Sequence, residues 1–507
     1  RSIWVTGVQT CALPIFKKLS PGPGTLRQTY IDAADFYGSA GKNNLAYKAN
    51  QEAFGYTDAM NQKPPALFGS LENSMGTYAN RMGDVHLAEQ HYRSALQYFE
   101  SDPNPDFTGL YISFNGLGAI MYYASKLDSA GYFYEKAVQM LAKTEATPLN
   151  RFYRPAVVQN NLSGIYSIQG KTTDAIAAMK ICIDNLKKFV DSKEPDPKKA
   201  TAVTFQFEAT DNLGGIYKEL GDFRQAHELL SYSYQQKQQH LGKDDPAIFI
   251  SQILLGQLYY SMKEFDKSMR FLNEGIKGIA NSDASYLFWH ADACYTMAQV
   301  FDRKNNIDQA ALYFEKADSL YEQSLQGNYD NIYLEFLGNA ALFYAQNGKE
   351  QKALAKANKG YAYVNKTEGM SGLLAFNQLL NLSEVHFAAG NYQQAMSYSA
   401  RGITVVNKIA ATSTNLIDSV KIELNKPKAI LLKVRSQYEL LAEKNVASLN
   451  ILLDEINEAL DILEKRKSIF HDPRDISVLM SEYSELLDFV KQLTYMEIGR
   501  ASCRERV

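Results

Sequence analysis

The sequence predicts an all-α protein, a right-handed α-solenoid of about nine helix–turn–helix repeats followed by C-terminal capping helices. Three observations predict it. A small residue recurs as Ala34, Gly76, Gly118, Ser163, Gly214, Gly256, Ala298, Ala341 and Ser383, at intervals of 42, 42, 45, 51, 42, 42, 43 and 42 residues. Seven positions after it stands a helix terminator: Gly41, Gly83, Gly170, Gly221, Gly348 and Gly390, with Ser125, Lys263 and Asn305 in the other repeats. Twelve positions after it come Ala46, Ala88, Ala130, Ala175, Ala226, Ser268, Ala310, Ala353 and Ala395. Such periodicity is the mark of a stacked-repeat architecture.

Each column has a physical reason. In the first helix the small residue lets two antiparallel helices approach closely. Three positions on, Tyr37, Met121, Tyr166, Tyr217, Tyr259, Phe301 and Tyr344 supply bulk, and His386 fills the same place as a packed residue. Glycine ends the helix because the left-handed C′ position costs it nothing. In the second helix the alanine marks the closest contact. Four positions further, Tyr92, Tyr134, Met179, Leu230, Leu272 and Phe314 are expected to be buried. Between repeats, "SDPNPDF" and "GKDDPAIF" read as connections. The polar insertion "DSKEPDPKKA" at Asp191–Ala200 accounts for the interval of 51.

The aligned segments "LGGIYKELGDFRQAHELLSYSY" from Leu213 and "LGQLYYSMKEFDKSMRFLNEGI" from Leu255 carry a resemblance. They resemble the tetratricopeptide repeat, whose usual period is about 34 residues. Eight extra residues add about one turn to each helix, as in the kinesin-light-chain type. The resemblance covers about residues 25–407, and it implies binding of a protein or extended peptide on a concave face lined by the first helices. Two columns there, two and three residues before the small one, hold Asn73, Asn115, Asn160, Asn161, Asn212, Asn339 and Asn381. Each amide offers two donors and an acceptor, so a ladder of them suits a peptide backbone. Bridging neighbouring repeats is the alternative use. Basic residues of the kind that clamp a terminal carboxylate are sparse there.

Nothing else suggests chemistry, and no cofactor, metal or catalytic residue is expected. Seven histidines are scattered. His86 and His91 share a helix without a third ligand. Cys182 and Cys294 fall on buried positions, where Cys behaves as a small hydrophobe. "PGPG" at Pro21–Gly24 reads as a turn. Asn161 and Asn381 open Asn-x-Ser/Thr matches inside helices, where glycosylation is not expected.

The two ends resemble translated sequencing adapters: residues 1–15, with "VTGVQTCALPI", and residues 497–507, "EIGRASCRERV". Excluding them removes Cys11 and Cys503. The net charge of −3 becomes −5, because Arg1 and the final stretch (three Arg, two Glu) each carry +1. A mildly acidic chain offers no footprint for nucleic acid, and no apolar run has the roughly 18–20 residues of a membrane span. Cytoplasmic placement is the expectation.

The division expected is therefore 16–425 as solenoid and 426–496 as divergent helices. The latter have a regular apolar face (Leu449, Leu452, Leu453, Ile456, Leu460, Leu463) expected to pack on the last repeat. Their order, "ALDILEKRKSIF" then "DISVLMSEYSELLDFVKQL", is similar to the segment that joins bacterial tetratricopeptide arrays to CHAT domains, caspase-like with a His/Cys dyad. The resemblance implies a non-catalytic sensing arm of such a protease, with the protease domain downstream. Alternatives are the sensory array of a bacterial histidine kinase and a free-standing adaptor.

Overall fold

The computed structural model describes residues 22–504, apart from 125, 169–170, 368, 413–415, 469–475, 477–479 and 481–482. The adapter-like residues 1–15 and 505–507, and the terminators Ser125 and Gly170, lie outside the described residues. Among those described, every regular element is helical.

The helices divide between two units, residues 1–165 with 180–203, and residues 166–179 with 204–507. The first holds the pairs α1 (Pro23–Ser39) and α2 (Asn43–Asp58), α3 (Pro65–Arg81) and α4 (Val85–Ser101), and α5 (Phe107–Tyr123) and α6 (Leu127–Leu141). It also takes most of α7 (Arg154–Ile168) and the end of α8 (Thr172–Asp191). The second takes most of α9 (Lys198–Leu220), with α10 (Phe223–His240), α11 (Pro246–Ser261), α12 (Phe265–Ile279), α13 (Leu287–Arg303) and α14 (Ile307–Leu325). It continues with α15 (Asn331–Gln346), α16 (Glu350–Thr367), α17 (Leu373–Ala388), α18 (Tyr392–Thr412), α19 (Leu416–Leu440), α20 (Val446–Lys467) and α21 (Ser484–Arg504). Odd-numbered helices up to α17 are the first helices of the nine repeats, and even-numbered helices up to α18 are the second.

The periodic columns do what their chemistry dictates. The terminators take left-handed backbone, with φ 83° at Gly83, 81° at Gly221, and 60° and 57° at Lys263 and Asn305, where no glycine relieves the crowding. The next residue's N–H then reaches back to the carbonyl of the bulky column: Lys42 to Tyr37 (2.9 Å), Glu264 to Tyr259 (2.9 Å), Asn391 to His386 (2.8 Å). That bond closes the helix end. Caps follow from the polar connections, since Asp84, Asp222 and Asn306 accept from backbone N–H groups at the start of second helices. Asp106, Asp245 and Asp330 do so for first helices.

All nine residues of the alanine column are fully buried, Ser268 included. Ser268 remains satisfied because its hydroxyl donates to the Gly256 carbonyl at 2.7 Å. At Gly118 a Cβ would lie 2.6 Å from the Tyr134 ring, so the closeness of the two helices requires glycine.

The polar insertion runs from the end of α8 at Asp191 into α9, which opens at Lys198 and runs for 23 residues. Two expectations are corrected. The described part of "PGPG" is no turn: Gly22 precedes the first turn of α1 and Pro23 is its first residue, where a missing N–H costs nothing. Finally, the apolar face of α20 packs chiefly on its neighbours, where Leu449, Leu452, Ile456 and Leu463 meet Val434 and Tyr438 of α19 and Leu486 and Phe489 of α21, with Ile403 of α18 at the edge of the cluster. It is α19 that covers the last repeat, bringing Ala429 and Leu432 against Phe376 and Val406.

Candidate functional site: the polar columns of the first helices

Asn73 is buried in α3, four positions before Thr77. Its Nδ2 donates to the Gly109 carbonyl (2.9 Å), and its Oδ1 accepts from the Ser113 hydroxyl (2.7 Å), both on α5. This amide bridges neighbouring repeats. Beneath it, Phe99 of α4 fills the floor against Gly69 and Gly109, where added Cβ atoms would meet its ring at 2.8 and 2.3 Å.

The same joint recurs in the second unit with other chemistry. Asp211 of α9 occupies the column of Asn73, Ser251 of α11 that of Ser113, and Lys237 of α10 that of Phe99. Lys237 Nζ lies 2.5 Å from Asp211 Oδ2 and 2.8 Å from Ser251 Oγ. Both ions are buried, at 3 and 7% exposure, too little for water to replace either partner. Burial raises the Asp211 carboxyl despite the pull of Lys237. The column of Lys237, twenty-three residues after the small one, escaped the sequence reading. Its members Thr57, Phe99, Leu141, Leu186, Lys237, Ile279, Tyr321, Val364 and Val406 are all buried, and one lysine among them was the signal.

Asn115 has lost this arrangement. Val158 stands in α7 where Ser113 and Ser251 stand in the other joints, and Asn115 Oδ1 is buried with no hydrogen-bond partner. Asn160 and Asn161 are half-buried neighbours on α7, with Nδ2 of the first 3.4 Å from Oδ1 of the second. Asn212 is exposed on α9. Asn339 is exposed on α15 and donates to the Tyr295 hydroxyl of α13 at 2.8 Å. Asn381 of α17 lies over Gly338 of α15, where a Cβ would come 2.6 Å from its Cγ.

A second polar column, six residues before the small one, also went unnoticed in the sequence: Glu208, Asp292 and Glu335. Asp292 accepts from Gln257 Nε2 (2.6 Å) and from the Tyr321 hydroxyl (3.3 Å). Burial raises all three carboxyls.

His91, His290, His386 and both cysteines of the repeats are absorbed by packing, and His86 is exposed. His91 links repeats, its Nε2 2.9 Å from the Tyr47 hydroxyl and its Nδ1 2.6 Å from Glu72 Oε2. His386 stacks on Tyr398 with centroids 5.4 Å apart. Burial pushes His290 down to about 4, so it is neutral at pH 7. It pushes the thiols of Cys182 and Cys294 up to about 12, which leaves almost no thiolate. Among the described residues no group of three or more His, Cys, Asp or Glu could hold a metal ion. No helix among them is long and apolar enough to cross a membrane.

Residues 291–324, which lie on α13 and α14, match the tetratricopeptide repeat family. No curated protein sequence matches the chain. Among solved structures, the apo form of RapI is 14% identical, covers 76% of this chain and 99% of its own, and gives a TM-score of 0.51. BtubC (BKLC) from P. vanneervenii is 20% identical over 47% of this chain and 92% of its own, with a TM-score of 0.39. The kinesin-light-chain-like repeats of Podosopora anserina are 17% identical over 41% of this chain and 98% of their own, with a TM-score of 0.36. The likeness to RapI is one of fold. Residues 291–324 are thus a tetratricopeptide repeat, and the paired helices that keep its register before and after it give the chain a tetratricopeptide-like helical-repeat fold.

Proposed function

We propose that the chain is a non-catalytic scaffold that binds a protein or an extended peptide along its first helices, on the concave face such repeats present. The observation that carries this reading is Asn115 Oδ1, a buried acceptor without a partner in a column of amides. An unmet acceptor of this kind costs about 1–3 kcal/mol, and rotation of the half-buried Asn115 side chain would bring it to a peptide N–H. The exposed Asn212 and Asn339 place further amides on first helices, where they would hold a backbone without reading side chains. The test is selection of short peptides from a random library on the full chain. Asn115→Ala and Asn212→Ala should each weaken the selected peptides severalfold with the melting temperature unchanged. Equal loss of stability and binding would make the amides structural.

The chain further serves, on this reading, as the regulatory arm of a CHAT protease. What supports it is the order of helical segments after the last repeat, which share a core formed by α19, α20 and α21. Part of the diagnostic stretch, residues 469–475, 477–479 and 481–482, lies outside the described residues. Long-read sequencing of the source DNA past the codon for Tyr495 decides the matter. A strand-rich domain with one His and one Cys supports the protease. An apolar run of about 20 residues would favour the histidine kinase. An early stop codon would favour the adaptor.

A further inference from the structure

One column of the first helices carries a charge that no neighbour answers. The position nine residues before the small one is uncharged in eight repeats and is Arg154, on α7, in the fourth. Its equivalent in the preceding repeat is Gly109, whose carbonyl takes the Asn73 amide at 2.9 Å. Arg154 therefore stands at the joint of Asn115 as Gly109 stands at the joint of Asn73. Measured contacts tie it to α5. Its guanidinium lies over the Tyr111 ring, with Cζ 5.4 Å from the centroid, and Nη1 is 3.5 Å from the Thr108 hydroxyl. The same Nη1 donates to the side-chain oxygen of Asn150, which a turn of π-helix, Leu149–Tyr153, places just before α7. Asn150 is buried and anchored through Nδ2 to the Glu145 carbonyl at 2.9 Å. Tyr111, Thr108 and Asn150 are all neutral. Nε and Nη2 make no hydrogen bond among the described residues, and no carboxylate there pairs with the half-buried cation. Asp106 and Asp196 act on it from a distance, and each already accepts a backbone N–H, from Thr108 at 2.9 Å and from Lys198 at 2.8 Å. Lys237 shows the contrast: it too is the one cation of its column, and it has its anion, Asp211, at 2.5 Å.

On the reading that the first helices bind a peptide, we infer that the open Nε and Nη2 edge of Arg154 receives a carboxylate of that peptide beside Asn115. That edge presents two parallel donors, the geometry a carboxylate meets with both oxygens. Tyr111, Thr108 and Asn150 hold the fork in place before the ligand arrives, so little side-chain freedom is lost on binding. A carboxylate suits the site better than a phosphate, because one cation balances one charge and Asp106 and Asp196 would repel a group near −2.

The test selects short peptides from a random library on the full chain. Each recovered peptide is then titrated as it stands, with its Asp and Glu replaced by Asn and Gln, and with its C-terminus amidated. Neutralising one carboxylate should weaken binding to the unaltered chain severalfold. A loss on side-chain replacement assigns an Asp or Glu, and a loss on amidation assigns the peptide's own terminus. On Arg154→Gln the same neutralisation should cost nothing, and on Arg154→Lys, which keeps the charge without the fork, part of the loss should return. The peptide-side comparison on the unaltered chain stands even where a variant fails to fold. Neutralisation without effect on the unaltered chain, or an equal loss on Arg154→Gln, overturns the inference, and peptides that Asn115→Ala still weakens would then leave the amide reading standing. Peptides sensitive to Arg154 and indifferent to Asn115→Ala would overturn the amide reading instead. An empty selection overturns both.

Discussion

The joint between α3 and α5 and the joint between α9 and α11 share one geometry and differ in chemistry. In the first unit a neutral amide, Asn73, spans to Ser113 over the apolar floor of Phe99. In the second an anion, Asp211, stands in the same column, the same serine type answers at Ser251, and the floor is the ammonium of Lys237. The difference teaches that a repeat column cannot be judged by itself. Asparagine over phenylalanine is a neutral joint, aspartate over lysine is an ion pair, and any half exchange would bury an ion without its partner.

The largest effect should come from breaking the second joint. Lys237→Met leaves Asp211 buried and uncompensated, which costs about 3–5 kcal/mol. The Asp211→Asn, Lys237→Phe double variant copies the first joint and should recover most of that loss in denaturant unfolding. A double variant as weak as the single one would show the two joints are not equivalent. Next in size, Asn73→Ala removes both hydrogen bonds that tie α3 to α5, at about 1–3 kcal/mol, while the Ser113 hydroxyl keeps its bond to the Gly109 carbonyl.

A third variant sharpens the comparison at the incomplete joint. Val158→Ser offers Asn115 the hydroxyl that Ser113 gives Asn73, and selected peptides should then bind severalfold more weakly by titration calorimetry. Val158→Ala, which removes the same packing and supplies no donor, should leave affinity nearly unchanged. The smallest effects belong to the turns. Lys263→Gly should raise stability by about 0.5–1 kcal/mol, because a left-handed residue with a Cβ is strained and the glycine's added chain entropy offsets only part of that. Asn305→Gly should change melting little, since asparagine tolerates this backbone.

The repeat columns were legible because every repeat solves the same local problem with the same few residues. Gly83 and Gly221 announce a left-handed helix end, and Ala88 and Ala226 announce a close crossing, wherever they occur. The candidate site was legible only as a list of asparagines. Asn73 and Asn115 look alike in sequence, yet one is saturated and the other lacks a partner for its acceptor. What separates them is Ser113 against Val158, some forty residues downstream in each case.

The sequence by itself thus determined the repeat, its register, its helix ends and the all-α class, because backbone conformation and helix periodicity are local properties. Only the tertiary structure decided which polar groups meet. It paired Lys237 with Asp211, turned α20 toward α19 and α21, and brought Asp292 of α13 against Gln257 of α11 and Tyr321 of α14. The physical reason is that hydrogen bonds and charges act across the space between helices. Their partners are set by how the repeats stack and not by their separation along the chain.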